Sequence, residues 1–339
     1  MPSTKTRQQH QLRFTVLGAG LLLLVLAGLS LLLGAGPVSI SQSLRAIMTP
    51  TQALSEAQFV VFELRLPRLG LALVVGSALA VAGAVLQTVT RNTLAEPGLL
   101  GVSAGAAFAV VMAIYWGASA ATVNVWVAIA GALVGCLLVL AATQIQGVKG
   151  DPVRLILAGA AFSSLLMAIT SVILLQDQRT ADEMRFWLIG ALAGRPTEAI
   201  WVSGSLILVG LCLVALNLRA LSALALGERI AQGLGHKPLV LQLLALLAVA
   251  ILVGAATAAA GPIAFIGLVV PFIARACVGP DIRRVFVTSL VIGPVVLLAA
   301  DILSRLLVPP YELPVGVISA FVGAPILILV VRQRRLPTL

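Results

Sequence analysis

Arg65 and Arg68 stand three residues apart where the second of a series of long apolar runs begins, and Arg305 follows Asp301 by four residues near the end of a later run. Guanidinium groups placed there can receive carboxylates of another protein and so form a docking rim. Plainer roles remain open: Arg65 and Arg68 can snorkel, and Asp301 with Arg305 can pair within one helix. A second constellation lies in the polar break RALSALALGERIAQGLGHKP, Arg219 to Pro238. Ser222 can cap a short helix there, Gly227 interrupts, and Glu228 to Leu234 can form a turn or two before Gly235 and Pro238 stop it. Leu226, Ile230 and Leu234 recur every four residues, an apolar ridge on a polar segment that suits a partner protein or a membrane surface.

Other chemistries lack their residues. His10 and His236 are the only histidines, and no carboxylate cluster falls inside an apolar run, so metal ligation, a proton relay and a catalytic triad have no candidates. The phosphate loop GxxxxGK[ST] does not occur, so nucleotide chemistry belongs to another chain. Cys136, Cys212 and Cys277 all sit in apolar runs and read as small packing residues.

Elements of one kind must position these groups. The chain has 339 residues, 60% hydrophobic and 10% charged, with mean hydropathy +1.12. Runs of spanning length, roughly 20 residues, begin near Phe14, Leu66, Gly98, Thr122, Leu155, Ala199, Leu239, Pro262, Phe286 and Pro314. They are continuously apolar rather than alternating, which predicts helices and not a barrel. The first run is too long for a signal-peptide core and is kept as a helix.

With the N-terminus in the cytoplasm, ten spans place 15 of the 22 basic residues inside and 7 outside. The net charge of +10 is then topological, not a nucleic-acid signal. This threading puts Arg219 to Pro238 and both termini in the cytoplasm, and Arg65, Arg68 and Arg305 outside. In the inner loop after the second span, Pro97 suits the first turn of the next helix, with Glu96 beside that helix's positive end. A short amphipathic helix is predicted around Met184 to Leu192.

Pro152-Val153 and Pro314-Val315 open two spans in the same way, and Leu66-Pro67 echoes Lys237-Pro238. These echoes predict a single permease domain over residues 1–339 built from two five-helix units, about 12–176 and 198–332, in opposite orientation. The fold expected is thus all-α and polytopic, with about ten transmembrane helices and a cytoplasmic coupling segment at 219–238.

Taken together, RLPR (Arg65 to Arg68), RNTLAEPGLLGVSAG (Arg91 to Gly105), LALGERIAQGLG (Leu224 to Gly235), GPIAFIGLVVPFIAR (Gly261 to Arg275) and ELPVGVISAFVGAP (Glu312 to Pro325) resemble the FecCD family over nearly the whole chain. These are permease subunits of ABC importers for iron–siderophore complexes, haem and cobalamin, and the ferric-enterobactin branch is the most similar. The resemblance implies a bacterial inner-membrane subunit without hydrolytic chemistry of its own. Its partners would be a second FecCD-type permease, with a heterodimer preferred over a homodimer, two ATPase subunits that bind ATP and magnesium, and a substrate-binding protein.

Residue by residue, it implies docking at Arg65, Arg68 and Arg305. It implies coupling to the ATPases through Ser222, Leu226, Gly227, Glu228, Arg229, Ile230, Gln232, Leu234 and Gly235. A cytoplasmic gate falls at Asn92, Leu94, Pro152 and Val153, and a pathway lining at Phe162, Ser163, Met167, Ser319 and Phe321. The family usually has Pro where this chain has Thr93 and His where it has Phe272, and its cobalamin member has hydroxyl residues in place of Pro152-Val153. The alternatives are haem or cobalamin as cargo, an ion-coupled secondary transporter, which would leave the Arg219–Pro238 ridge unexplained, and a membrane enzyme.

Overall fold

Hydrocarbon offers a backbone no hydrogen-bond partners, so the apolar runs satisfy theirs internally as helices. The computed structural model describes residues 4–49, 55–118, 125–144, 152–195 and 197–332. In order these form α1 (Thr4–Leu32), α2 (Ile40–Met48) and α3 (Glu56–Phe59), then a π-helical turn at Val60–Arg65 that continues into α4 (Leu66–Thr90). A 3-10 turn, Pro97–Leu100, leads to α5 (Val102–Tyr115), α6 (Val125–Gln144), α7 (Pro152–Gln176) and α8 (Gln178–Leu188). The remainder comprises α9 (Thr197–Ala225), α10 (Glu228–Gly233), α11 (Pro238–Ala260), α12 (Ile266–Val278), α13 (Ile282–Leu306) and α14 (Val315–Arg332).

Seven helices among the described residues are long and apolar enough to cross a membrane, and α5, α12 and α14 are shorter apolar helices. These ten correspond to the ten expected runs. Two of them depart from expectation in length. α5 has 14 residues and α12 has 13, about 20 Å each at 1.5 Å per residue, which is short of a bilayer's roughly 30 Å core. Pro97, Gly98 and Gly101 delay the start of α5, and Gly261-Pro262 delays that of α12. The outer amphipathic helix, α8, also lies further back than expected: Asp177 caps it and it ends at Leu188, before Gly190 at φ +77°.

The core gathers around α4, which packs on α13, α11, α12 and α9, while α11 packs on α9, α4 and α6. Small residues allow these approaches. A Cβ on Gly76 would stand 2.8 Å from the Gly293 backbone of α13, and one on Gly83 would overlap the Gly267 carbonyl of α12. Gly83 lies roughly two-thirds of the way along α4, so the start of α12 is seated deep in the bundle. Its irregular approach is thereby covered by protein rather than lipid.

Candidate functional site

The first turns of α4 hold a network of buried charge. Arg68 donates to Asp301 from Nε at 2.8 Å and from Nη2 at 2.7 Å, and to Glu312 from Nη1 at 2.5 Å. Arg305 pairs with Asp301 one helical turn below it, so the within-helix ion pair is present. Arg305 also donates to the Ser30 carbonyl at 2.9 Å, the Leu33 carbonyl at 3.2 Å and the Ser30 hydroxyl at 3.0 Å. Arg65 donates to the carbonyls of Leu31 at 2.8 Å and Leu32 at 3.0 Å, and to the Ser43 hydroxyl.

The carbonyls of Ser30, Leu31 and Leu32 at the end of α1, and of Leu33 just beyond it, would otherwise be orphans at the helix's negative end, and two guanidinium groups satisfy them. Arg65, Arg68 and Arg305 are only 5%, 8% and 1% exposed. They do not snorkel; they turn inward, and the chain's own acceptors hold them.

All three nonetheless line one cavity of about 360 Å³, together with Glu63, Glu312 and Arg195. Arg195 differs from Arg68 and Arg305. Its Nε donates to the Ala191 carbonyl at 3.2 Å, and no carboxylate pairs with it among the described residues. Loss of hydration pushes this half-buried guanidinium down to about 10. Sequence reasoning missed Arg195 because it sits in a turn, ALAGRPTE, with no spacing relation to the other arginines. Asp301 and Glu312, acids flanking apolar runs, were the visible signal for the network.

At the other end of α11 lies the polar break. α9 runs unbroken through Ser222 to Ala225, so Ser222 does not cap a separate helix; its hydroxyl donates to the Leu218 carbonyl one turn back. The break comes at Gly227, φ +128°, and α10 follows. Gly235, φ +81°, ends α10 with paired bonds from Gly235 N to the Gln232 carbonyl and from His236 N to the Ala231 carbonyl, the Schellman arrangement. Glu228 accepts from Gln242 of α11 at 2.9 Å and pins the segment. Ala231 faces inward, whereas Arg229 and Gln232 are exposed. Leu226, Ile230 and Leu234 are 68%, 48% and 62% exposed, so the ridge faces away from the chain.

The loop after α4 is folded on itself. Asn92 Oδ1 accepts from Leu94 N at 2.9 Å, and the Asn92 carbonyl accepts from Ala95 N at 3.1 Å. Leu94 and Thr93 line a crevice of about 10 Å³ with Leu268, Val269 and Phe272 of α12 and Ile326 and Leu327 of α14. Thr93 and Phe272, where the resemblance leads one to expect Pro and His, therefore line the same crevice. α7 begins at Pro152, but the side chains of Pro152 and Val153 lie outside the described residues, so the other half of the expected gate has no geometry. Glu96 does not serve α5; its carboxylate accepts from Phe265 N at 2.7 Å, just before α12. Sequence spacing could not signal a contact between residues so far apart in the chain.

The pathway candidates divide. Phe162 approaches Gly101 at the start of α5, Ser163 Oγ is buried without a partner, and Ser319 is buried with its hydroxyl on the Gly316 carbonyl. Met167 and Phe321 are exposed.

The model of the FecCD transport family matches residues 22–333. The ferric enterobactin transport system permease protein FepD of Escherichia coli K12 is 44% identical over 318 residues, 94% of each chain. The iron(3+)-hydroxamate import system permease protein FhuB of Bacillus subtilis 168 is 39% identical over 94% of this chain and 83% of its own. A solved structure of a metal-chelate type ABC transporter in an inward-facing conformation superposes with a TM-score of 0.82 at 28% identity, covering 95% of this chain and 99% of that one. The arginine network, the glycine-bounded ridge and the paired half-length helices are thus carried by a member of the FecCD transport family.

Proposed function

We propose that this chain is the membrane permease subunit of an ATP-driven importer, carrying ferric siderophore complexes from a binding protein into the cytoplasm by alternating access. The observation that carries the reading is the placement of two unlike surfaces at opposite ends of α11. Just before its first residue, Pro238, stands the exposed ridge of Leu226, Ile230 and Leu234. Beyond its last, Ala260, whose carbonyl accepts from Ala191 N, lies the arginine-lined cavity. The 23 residues between them rise about 34 Å, the thickness of a bilayer core and a little more. An apolar knob suits an ATPase subunit that must grip and pull, and a cationic depression suits a carboxylate-bearing delivery protein.

In this reading two ATPase subunits carry the ATP and magnesium chemistry and engage Ser222 through Gly235. A second FecCD-type permease, with a heterodimer preferred, covers part of the exposed apolar surface of α7 and α14, including Met167 and Phe321. The chain lies in the bacterial inner membrane with both termini cytoplasmic. Two inverted units, 12–176 and 198–332, are supported by their packing: α4 rests on α12 and α13 as α11 rests on α5 and α6. Docking falls on the cavity of Arg65, Arg68 and Arg305, and Arg195 adds a further cation that no carboxylate pairs among the described residues. The gate falls at Asn92 and Leu94, opposed by Pro152 and Val153. The relatives named for ferric enterobactin and ferric hydroxamates support a ferric siderophore as cargo over haem or cobalamin.

The test is isolation of the native complex on an affinity tag carried by this chain. A Walker-type ATPase and a second permease copurifying in fixed proportion is the expected result. A chain that purifies alone and accumulates substrate on an ion gradient contradicts the reading.

A further inference from the structure

One hydrogen bond between the two halves of the chain falls at Phe265, a non-glycine residue with positive φ. Phe265 adopts φ +69° and ψ −22°, the left-handed region that bulky side chains rarely enter, immediately before α12. Its carbonyl receives the N–H groups of Leu268 at 3.1 Å and Val269 at 2.8 Å and so starts the helix. α12 has no side-chain cap of its own. The Phe265 N–H is instead held at 2.7 Å by Glu96, a carboxylate facing the positive end of a helix from the other half of the chain. On its other side Phe265 is wedged into α14: a Cβ placed on Gly323 would collide with Phe265 Cβ and stand 2.6 Å from Cγ. Glu96 is also the end of the loop that carries Asn92 and Leu94, and the loop's Ala95 carbonyl is held by Gln87 Nε2 of α4 at 3.3 Å.

We propose that Glu96 is the positioning residue of the inner gate: its carboxylate ties the Asn92–Leu94 loop to Phe265, and Phe265, seated in the Gly323 notch, makes the loop, α12 and α14 move as one unit. The inference rests on the gate reading above and adds the part that transmits motion to it. Two features require such an arrangement. The left-handed Phe265 backbone is unfavourable for a bulky side chain and persists where its surroundings hold it from both sides, as Glu96 and Gly323 do. Among the described residues the crevice at Leu94 is bounded by α12 and α14, so its width follows where those helices stand relative to the loop.

The test measures substrate imported per ATP hydrolysed by the full transporter in vesicles, an index that a purely structural role would leave unmoved in whatever fraction remains assembled. Glu96→Ala should lower it about tenfold, the scale of a lost charge-assisted hydrogen bond. Glu96→Gln keeps an acceptor oxygen at the same reach and should restore most of the loss. Gly323→Ala, which leaves Glu96 intact and displaces Phe265, should uncouple in the same sense.

Unchanged coupling in both Glu96→Ala and Gly323→Ala overturns the proposal, as does a Glu96→Gln variant no better than Glu96→Ala. Leu94→Ala in the same vesicles separates the two readings. Loss in Leu94→Ala with normal coupling in Glu96→Ala removes the latch and keeps the gate. Loss in Glu96→Ala with normal coupling in Leu94→Ala keeps the latch and moves the gate elsewhere.

Discussion

Asp301→Asn removes one charge from the centre of the outer network and is nearly isosteric, so its effect reads the electrostatics rather than the packing. Asp301 is fully buried and accepts from both Arg68 and Arg305. After the substitution Arg68 keeps Glu312, whose side chain is 34% exposed and therefore a weaker, screened partner. Arg305, 1% exposed, keeps the oxygens of Ser30 and Leu33 but loses its charged partner, since the new amide offers a single neutral oxygen to be shared with Arg68, and its Nε already lacks a partner. Breaking a buried pair from one side costs about 3–5 kcal/mol because a charge is left without compensation. The surviving Glu312 contact places this case near the lower end, about 3 kcal/mol.

The assay is thermal unfolding of the purified permease in detergent, run as a double-mutant cycle with Arg305→Gln. The double variant should recover part of the loss, since it removes the orphaned cation as well. A single Asp301→Asn variant within about 1 kcal/mol of the parent, well under the cost of an uncompensated buried charge, would refute the reasoning.

Two further outcomes follow from the surfaces. Ile230→Asp places a charge on an exposed ridge, so the isolated chain should unfold as the parent does; association with the ATPase should weaken by roughly 1.5–3 kcal/mol, the worth of one buried aliphatic side chain, read by copurification. Arg195→Ala should slow docking of loaded binding protein several-fold at low ionic strength, with the difference shrinking as salt rises; because no carboxylate is orphaned, stability should hold, in contrast to Arg68→Ala.

Much of the fold was legible because hydrocarbon leaves a backbone few options. The ten runs, the breaks at Gly227 and Gly235 and the exposed Leu226–Ile230–Leu234 ridge follow from hydropathy and glycine placement alone. The half-length of α5 and α12 was not legible, since an apolar run reads the same whether its first residues are helical or extended; Gly98, Gly101 and Gly261-Pro262 were the available hints. Ser222 misled for a local reason, because a serine in a continuing helix can bond back to Leu218 as readily as it can cap.

The arginines were found by type and position, but of their partners only Asp301 for Arg305 was. That Arg65 and Arg305 satisfy the end of α1, and that Glu96 reaches Phe265, depends on residues far apart in sequence and close only in the packed bundle.

Uptake of a labelled ferric siderophore into vesicles holding the purified complex, supplied with its loaded binding protein outside and nucleotide inside, tests the central claim most directly. Accumulation that requires hydrolysable ATP and persists when ion gradients are collapsed is the result expected. Accumulation that continues without ATP and stops when the gradients are collapsed would contradict the account.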